Sequence, residues 1–293
     1  MTKVMPVPSA TRPASPLLDL LQPARLTHVV DIGANPIDGD PPYKNLLASG
    51  LCRVTGFEPQ QEALAQLNAA KSANETYLPF VVGDGGKGDL HLCRYSGWTS
   101  LLRPRQAALE VFPYFKRPAE VVETIPVDTT RLDDIEALDD FDMLKIDVQG
   151  AELDVFRNGR EKLKNAVAIQ TEISFIALYE NQAGFGEIDT ELRAQGFVPN
   201  CFKAVKFTPI APVAQTGPAM PAFTQLLEAD IVYVRDFVDP EAMDDEQLKH
   251  LIILAQYCYG SVDLACRCVE LLKGRGVLRA DALETYLAQL QTA

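Results

Sequence analysis

The sequence is poor in basic charge, in histidine and in tryptophan. It has 27 Lys and Arg against 40 Asp and Glu, and its net charge is −13. A chain so short of clustered cations lacks the electrostatic footprint for phosphate backbones, which excludes nucleic acid as a partner. No apolar run approaches the ~18 residues of a membrane span. The first 23 residues hold five prolines (Pro6, Pro8, Pro13, Pro16, Pro23) and no long apolar core, so they do not read as a signal peptide. A cytoplasmic protein is expected. None of the six cysteines stands in a C-x₂-C pair. Reduced, mostly buried thiols are expected at Cys52, Cys93, Cys201, Cys258, Cys266 and Cys268.

What is present is an ordinary globular composition. The chain has 293 residues, 47% of them hydrophobic, enough for one large domain with an appendage. Residues 1–27 read as an extended Pro-rich arm. Strand and helix patterns then alternate. Apolar runs predict strands over 28–32, 53–57, 77–82, 142–148, 167–173, 197–202 and 229–234. Two further strands, over 90–94 and 121–127, flank an irregular loop with Trp98, Thr99 and Ser100. Helices are expected over 43–48, from Pro59, over 152–163 and over 185–195. Residues 209–221 form a Pro-rich loop. This alternation predicts an α/β fold over 28–236, a mostly parallel sheet with helices on both faces. From 237 to 293 the pattern is helical only. A capping box at Asp244 and Gln247 opens three amphipathic helices, an all-helical extension. Their apolar faces suit either docking on the chain's own sheet or a homodimer.

In such sheets the ligand sits beyond the carboxyl ends of the strands. The first strand ends in Asp31-Ile32-Gly33-Ala34-Asn35, where glycine permits a tight turn. No dinucleotide-type glycine fingerprint follows it, which argues against a nicotinamide oxidoreductase. Glu58 ends the second strand, placed to accept from both hydroxyls of a ribose. Asp84, in a turn-forming Asp-Gly, is placed for an adenine amino group. Asp147 and Glu172 end two later strands, where a charged group in an apolar run needs a partner, a ligand or solvent. Lys145 reads as a buried ion-pair partner. Five acids on one rim suit a cationic ligand better than an anionic one.

The ordered set VVDIGAN, GFEPQQEALAQLN, LKIDVQGAELDVFRNG, TEISF, LYENQAGFGEID and RAQGF resembles the FkbM-type S-adenosylmethionine-dependent methyltransferases over roughly 28–236. The resemblance implies a class I methyltransferase (Rossmann-like) sheet and methyl transfer to a hydroxyl of a sugar, glycan or other natural product. It implies Asp31, Gly33 and Asn35 in the cofactor loop, Glu58 on the ribose, Asp84 on the adenine side, and Asp147 with Glu152 facing donor and acceptor. Glu172 matches the next acid. One departure stands out. Pro36 and Ile37 follow GAN where a small residue and a second glycine are usual, so Gly39 is the candidate for close approach.

Histidine offers little for base catalysis: His28 precedes the first strand, His250 lies in the tail and His91 in the irregular middle. Asp147 or Glu172 is therefore the expected base or acceptor clamp. A divalent metal held by Asp147 and neighbouring acids is a less favoured alternative. Trp98 and Tyr179 are candidate acceptor-binding residues. A catalytically inactive scaffold on the same fold is the competing reading.

Overall fold

A computed structural model describes residues 15–35, 39–212 and 223–291. The elements run in chain order: α1 (Pro16–Leu21), β1 (Thr27–Ile32), α2 (Lys44–Ala48), β2 (Cys52–Phe57), α3 (Gln61–Ala70), β3 (Glu75–Leu78), β4 (Val81–Val82) and β5 (Lys87–Cys93). Next come α4 (Gln106–Val111), β6 (Val121–Thr130), β7 (Met143–Ile146), α5 (Glu152–Arg157), α6 (Arg160–Leu163), β8 (Ala168–Ser174), α7 (Phe185–Ala194), β9 (Phe197–Thr208) and β10 (Gln225–Arg235). Three helices close the chain: α8 (Asp245–Leu254), α9 (Val262–Gly274) and α10 (Ala282–Leu290).

Seven strands form one sheet in the order β3-β2-β1-β7-β8-β10-β9. The first five are parallel, and β10 runs antiparallel to both β8 and β9. The order reverses between β1 and β7, whose chains leave toward opposite edges. A crevice opens at the carboxyl ends of such a pair. This is the expected class I methyltransferase sheet, with helices on both faces and helices at the C-terminus. A small second sheet, β4-β6-β5, stands beside it.

Alternation along each strand divides the core in two. On one face Val29, Met143, Ala168 and Val232 pack under α1 and α8 to α10. On the other Val30, Ile32, Leu144, Ile146, Ile169 and Ile231 pack under α5 and α7. The C-terminal helices thus spend Leu248, Leu251, Ile252, Val269 and Leu272 on the chain's own sheet. Asp244 and Gln247 cap α8 reciprocally, at 2.8 and 2.9 Å.

Several local expectations change. The arm is not extended throughout: Pro16 starts a helix, where its missing N–H costs nothing, and Leu17, Leu18 and Leu21 enter the core. Residues 1–14 lie outside the described ones. The third strand is split into β3 and β4, with Pro79 between them. The expected helix over 152–163 breaks at Asn158-Gly159; a Cβ at Gly159 would stand 2.7 Å from Leu132. Gly83, Gly85 and Gly88 do have G-x-G-x-x-G spacing, but they lead from β4 into β5 rather than into a helix. Without a helix N-terminus that spacing makes no pyrophosphate site. All six thiols are free.

Candidate active site

The crevice is built around a backbone crossing. Past β1, Gly33 adopts φ +80°, and its N–H donates to the Phe57 carbonyl at 3.1 Å. A Cβ there would lie 2.1 Å from the Asp147 carbonyl oxygen. Only glycine lets the two loops pass this closely. The crossing opens into a cleft at the carboxyl ends of the strands. Gly33, Asn35, Glu58, Asp147 and Gln149 line it, with Phe57, Phe80, Val82 and Leu90 as an apolar wall.

Glu58 follows β2 directly and is 2% exposed. Its Oε1 accepts the Gln60 N–H at 2.7 Å. Among the described residues its second oxygen takes no hydrogen bond. Burial raises its pKa, against the lowering effect of that N–H. An ionised carboxylate here is therefore short of donors, which a diol would supply.

Across the cleft, the end of β7 sets Asp147 in the lining, and one amide joins it to Glu172 of β8, which lies outside the lining. Gln149 Nε2 donates to Asp147 Oδ1 at 2.7 Å and to Glu172 Oε2 at 3.3 Å. Lys206, from β9, donates to Glu172 Oε1 at 3.1 Å and to Glu228 Oε1 at 2.6 Å. Burial, with Asp147 and Glu228 adding to it, pushes Glu172 well above the usual carboxylate range in spite of Lys206.

A methyltransferase FkbM domain model matches residues 31–199, more than half of the chain. The chain belongs to the FkbM methyltransferase family. A curated relative, the 2-O-methyltransferase NoeI of Sinorhizobium fredii, is 32% identical over 168 residues. That match covers 53% of this chain and 66% of the relative, just under two thirds of its length. Among solved structures, an FkbM methyltransferase of Methylobacillus flagellatus is 12% identical with a TM-score of 0.37, over 70% of this chain and 43% of that one. The precorrin-6y C5,15-methyltransferase of Geobacter metallireducens is also 12% identical with a TM-score of 0.37, over 75% and 86%. These two are distant architectural likenesses.

The other candidate site residues take different places. Asp31 is not in the cleft lining but behind it, where its Oδ2 accepts from Tyr43 at 2.6 Å and its Oδ1 stands 3.4 Å from Lys145 Nζ. Burial would lower the Lys145 pKa, but Asp31 and Asp147 outweigh it and hold the ammonium above its ordinary value. Asp84 lies outside the lining in an exposed turn, closed by Gly86 N–H at 2.8 Å and Thr129 at 3.0 Å. Glu152 faces no cleft. Its carboxylate accepts the N–H groups of Val148 and Gly150, both at 3.0 Å, and so holds the turn that bears Gln149. Burial raises its pKa to about 7. Trp98 is buried between Phe115 and Tyr179, at centroid distances of 5.2 and 5.5 Å, while its neighbours Gly97 and Thr99 line the cleft. Tyr179 is 2% exposed and donates to Gln149 Oε1 at 3.0 Å. The rim therefore gathers fewer acids than expected, because Asp31 and Asp84 are spent on local partners.

Pro36, Ile37 and Asp38 lie outside the described residues. Gly39 has φ +108°, and a Cβ there would meet nothing within 4 Å. His28 is buried at the opposite end of β1, bonded to the Asp140 carbonyl and Thr55 at 2.9 Å each. Among the described residues no cluster of three His, Cys, Asp or Glu is arranged to hold a metal, and no helix is long and apolar enough to cross a membrane.

Gln149 and Lys206 were not singled out from sequence. Gln149 stands in an Asp-x-Gln-Gly run whose turn conformation periodicity does not reveal. Lys206 lies 34 residues from Glu172, and only the β9–β10 and β10–β8 pairings bring them together.

Proposed function

We propose that the chain transfers a methyl group from S-adenosylmethionine to a hydroxyl oxygen of a sugar-like small molecule or saccharide. The observation that carries this is the buried Glu58 carboxylate, with one unpartnered oxygen, in a cleft that is apolar on one side and acidic on the other. The cleft suits the cofactor. Glu58 would accept from the ribose hydroxyls, Phe80, Val82 and Leu90 would cover the base, and the Gly33–Asn35 loop would hold the methionine end. When bound, the cofactor supplies a methyl group on a positively charged sulfur.

The chain's own residues do the rest. Asp147, which lines the cleft, orients the acceptor hydroxyl, and Asp147 or Glu172 takes its proton. Holding two reactants in line contributes ~7–11 kcal/mol to lowering a barrier, and a placed base ~10²–10⁴-fold in rate. The name of the NoeI relative, a 2-O-methyltransferase, supports oxygen as the acceptor atom.

Calorimetric titration of S-adenosylmethionine and S-adenosylhomocysteine tests the reading. Micromolar binding is expected, weakened about 10- to 100-fold by Glu58→Ala, as befits loss of a charged hydrogen-bond acceptor. Absence of binding to the parent chain would replace this reading with the inactive scaffold.

A further inference from the structure

The amide of Gln149 sits at the one point where the two acidic strand ends meet, and all its polar atoms are used. Its nitrogen donates to Asp147 Oδ1 and Glu172 Oε2, while its oxygen accepts from Tyr179. Two acceptors on one side and a donor on the other fix which way the amide faces. Its main-chain carbonyl accepts from Ser100 Oγ at 2.7 Å.

The backbone is also held in an uncommon shape. Gln149 has φ +57° and Gly150 φ +107°. A non-glycine residue in the left-handed region costs ~1 kcal/mol and persists only when its surroundings enforce it. Here Glu152 grips the flanking N–H groups from below, and Ser100 pins the carbonyl from above.

We propose that Gln149 is a positioning residue, whose side-chain amide bridges Asp147 and Glu172 and holds the two carboxyl groups side by side. The inference rests on the methyl-transfer reading for its purpose, though not for its test. Neighbouring carboxylates oppose each other's ionisation, and a donor shared between them favours the charged form of each. Glu172 faces Lys206 from β9, Glu228 and Asp230 from β10, Asp147 from β7 and Glu152 from α5. Only Lys206 among these offsets the negative charge, and it holds the other Glu172 oxygen. Gln149 is the neutral donor on the cleft side.

The test is a carboxyl-carbon NMR titration of the ligand-free full chain labelled at glutamate, with Glu172→Gln to identify the resonance. Gln149→Asn keeps a residue that tolerates the left-handed backbone but withdraws the amide from both acids. The Glu172 midpoint is expected to rise by about one pH unit. Gln149→Glu, which places a third carboxylate there, raises it further. A midpoint within about 0.3 unit of the parent in Gln149→Asn overturns the proposal. If that variant does not fold, Gln149→Gly, which keeps the left-handed backbone and removes the amide, decides alone: a rise supports the bridge and an unchanged midpoint overturns it. Binding of S-adenosylhomocysteine to the parent chain is measured alongside. Failure of the parent to bind that ligand would remove the methyl-transfer reading and leave the titration result standing.

Discussion

One face of the sheet holds two chemistries. In its amino half, Val29, Met143, Ala168 and Val232 form dry core under the C-terminal helices. Two residues further along the same strands, on the same face, stand Asp31 and Lys145, then Glu172 and Asp230 toward the carboxyl rim. The step from Val29 to Asp31 crosses from packing to charge within about 7 Å of strand. Folding stability resides where helices cover the sheet. The cleft opens where they end, and charged groups there reach partners, solvent or a ligand. Even Asp31, buried at 2% exposure, is tolerated through Tyr43 and Lys145.

Substitutions can break this comparison. Val29→Asp would put an unpaired carboxylate into the dry half, and no folded protein is expected, a loss above ~4 kcal/mol. Circular dichroism and a thermal melt check this; a near-parent melt would show that the two halves are not distinct. Asp31→Leu has the next largest effect. It strips Lys145 of its nearest carboxylate and Tyr43 of its acceptor, at a cost of about 3–5 kcal/mol, measured by urea unfolding at neutral pH.

The smallest effect depends on pH. Burial holds Glu152 at about 7 in the folded chain against an ordinary 4.5. Between those values the folded state binds the extra proton, so stability from this group falls as pH rises through that window. The full swing is at most ~3 kcal/mol. Glu152→Gln should remove that slope between pH 5 and 8, and an unchanged slope would place its origin elsewhere.

Much of the fold was legible because the strands that form the core read as unbroken apolar runs. Val29 and Val30, Leu144 and Ile146, and Ile231 with Val232 announce strands buried on both faces. The capping box at Asp244 was legible because its partner lies only three residues away. The site was legible in part. Gly33, Asn35, Glu58 and Asp147 line the cleft as their strand-end positions suggested. Trp98 did not, since an aromatic in a loop can turn inward or outward, and here it turns onto Phe115 and Tyr179.

By itself the sequence determined the alternating α/β layers and the acids at strand ends, because periodicity and strand termini are local properties. Only the tertiary structure decided which acids line the cleft and which serve the fold. Asp84 is spent on its own turn, Asp31 on Lys145 and Tyr43, and Glu152 on the Gln149 turn. Those assignments depend on what each carboxylate meets across 2.6–3.4 Å of space, and contacts that short are set by chain crossings between distant residues.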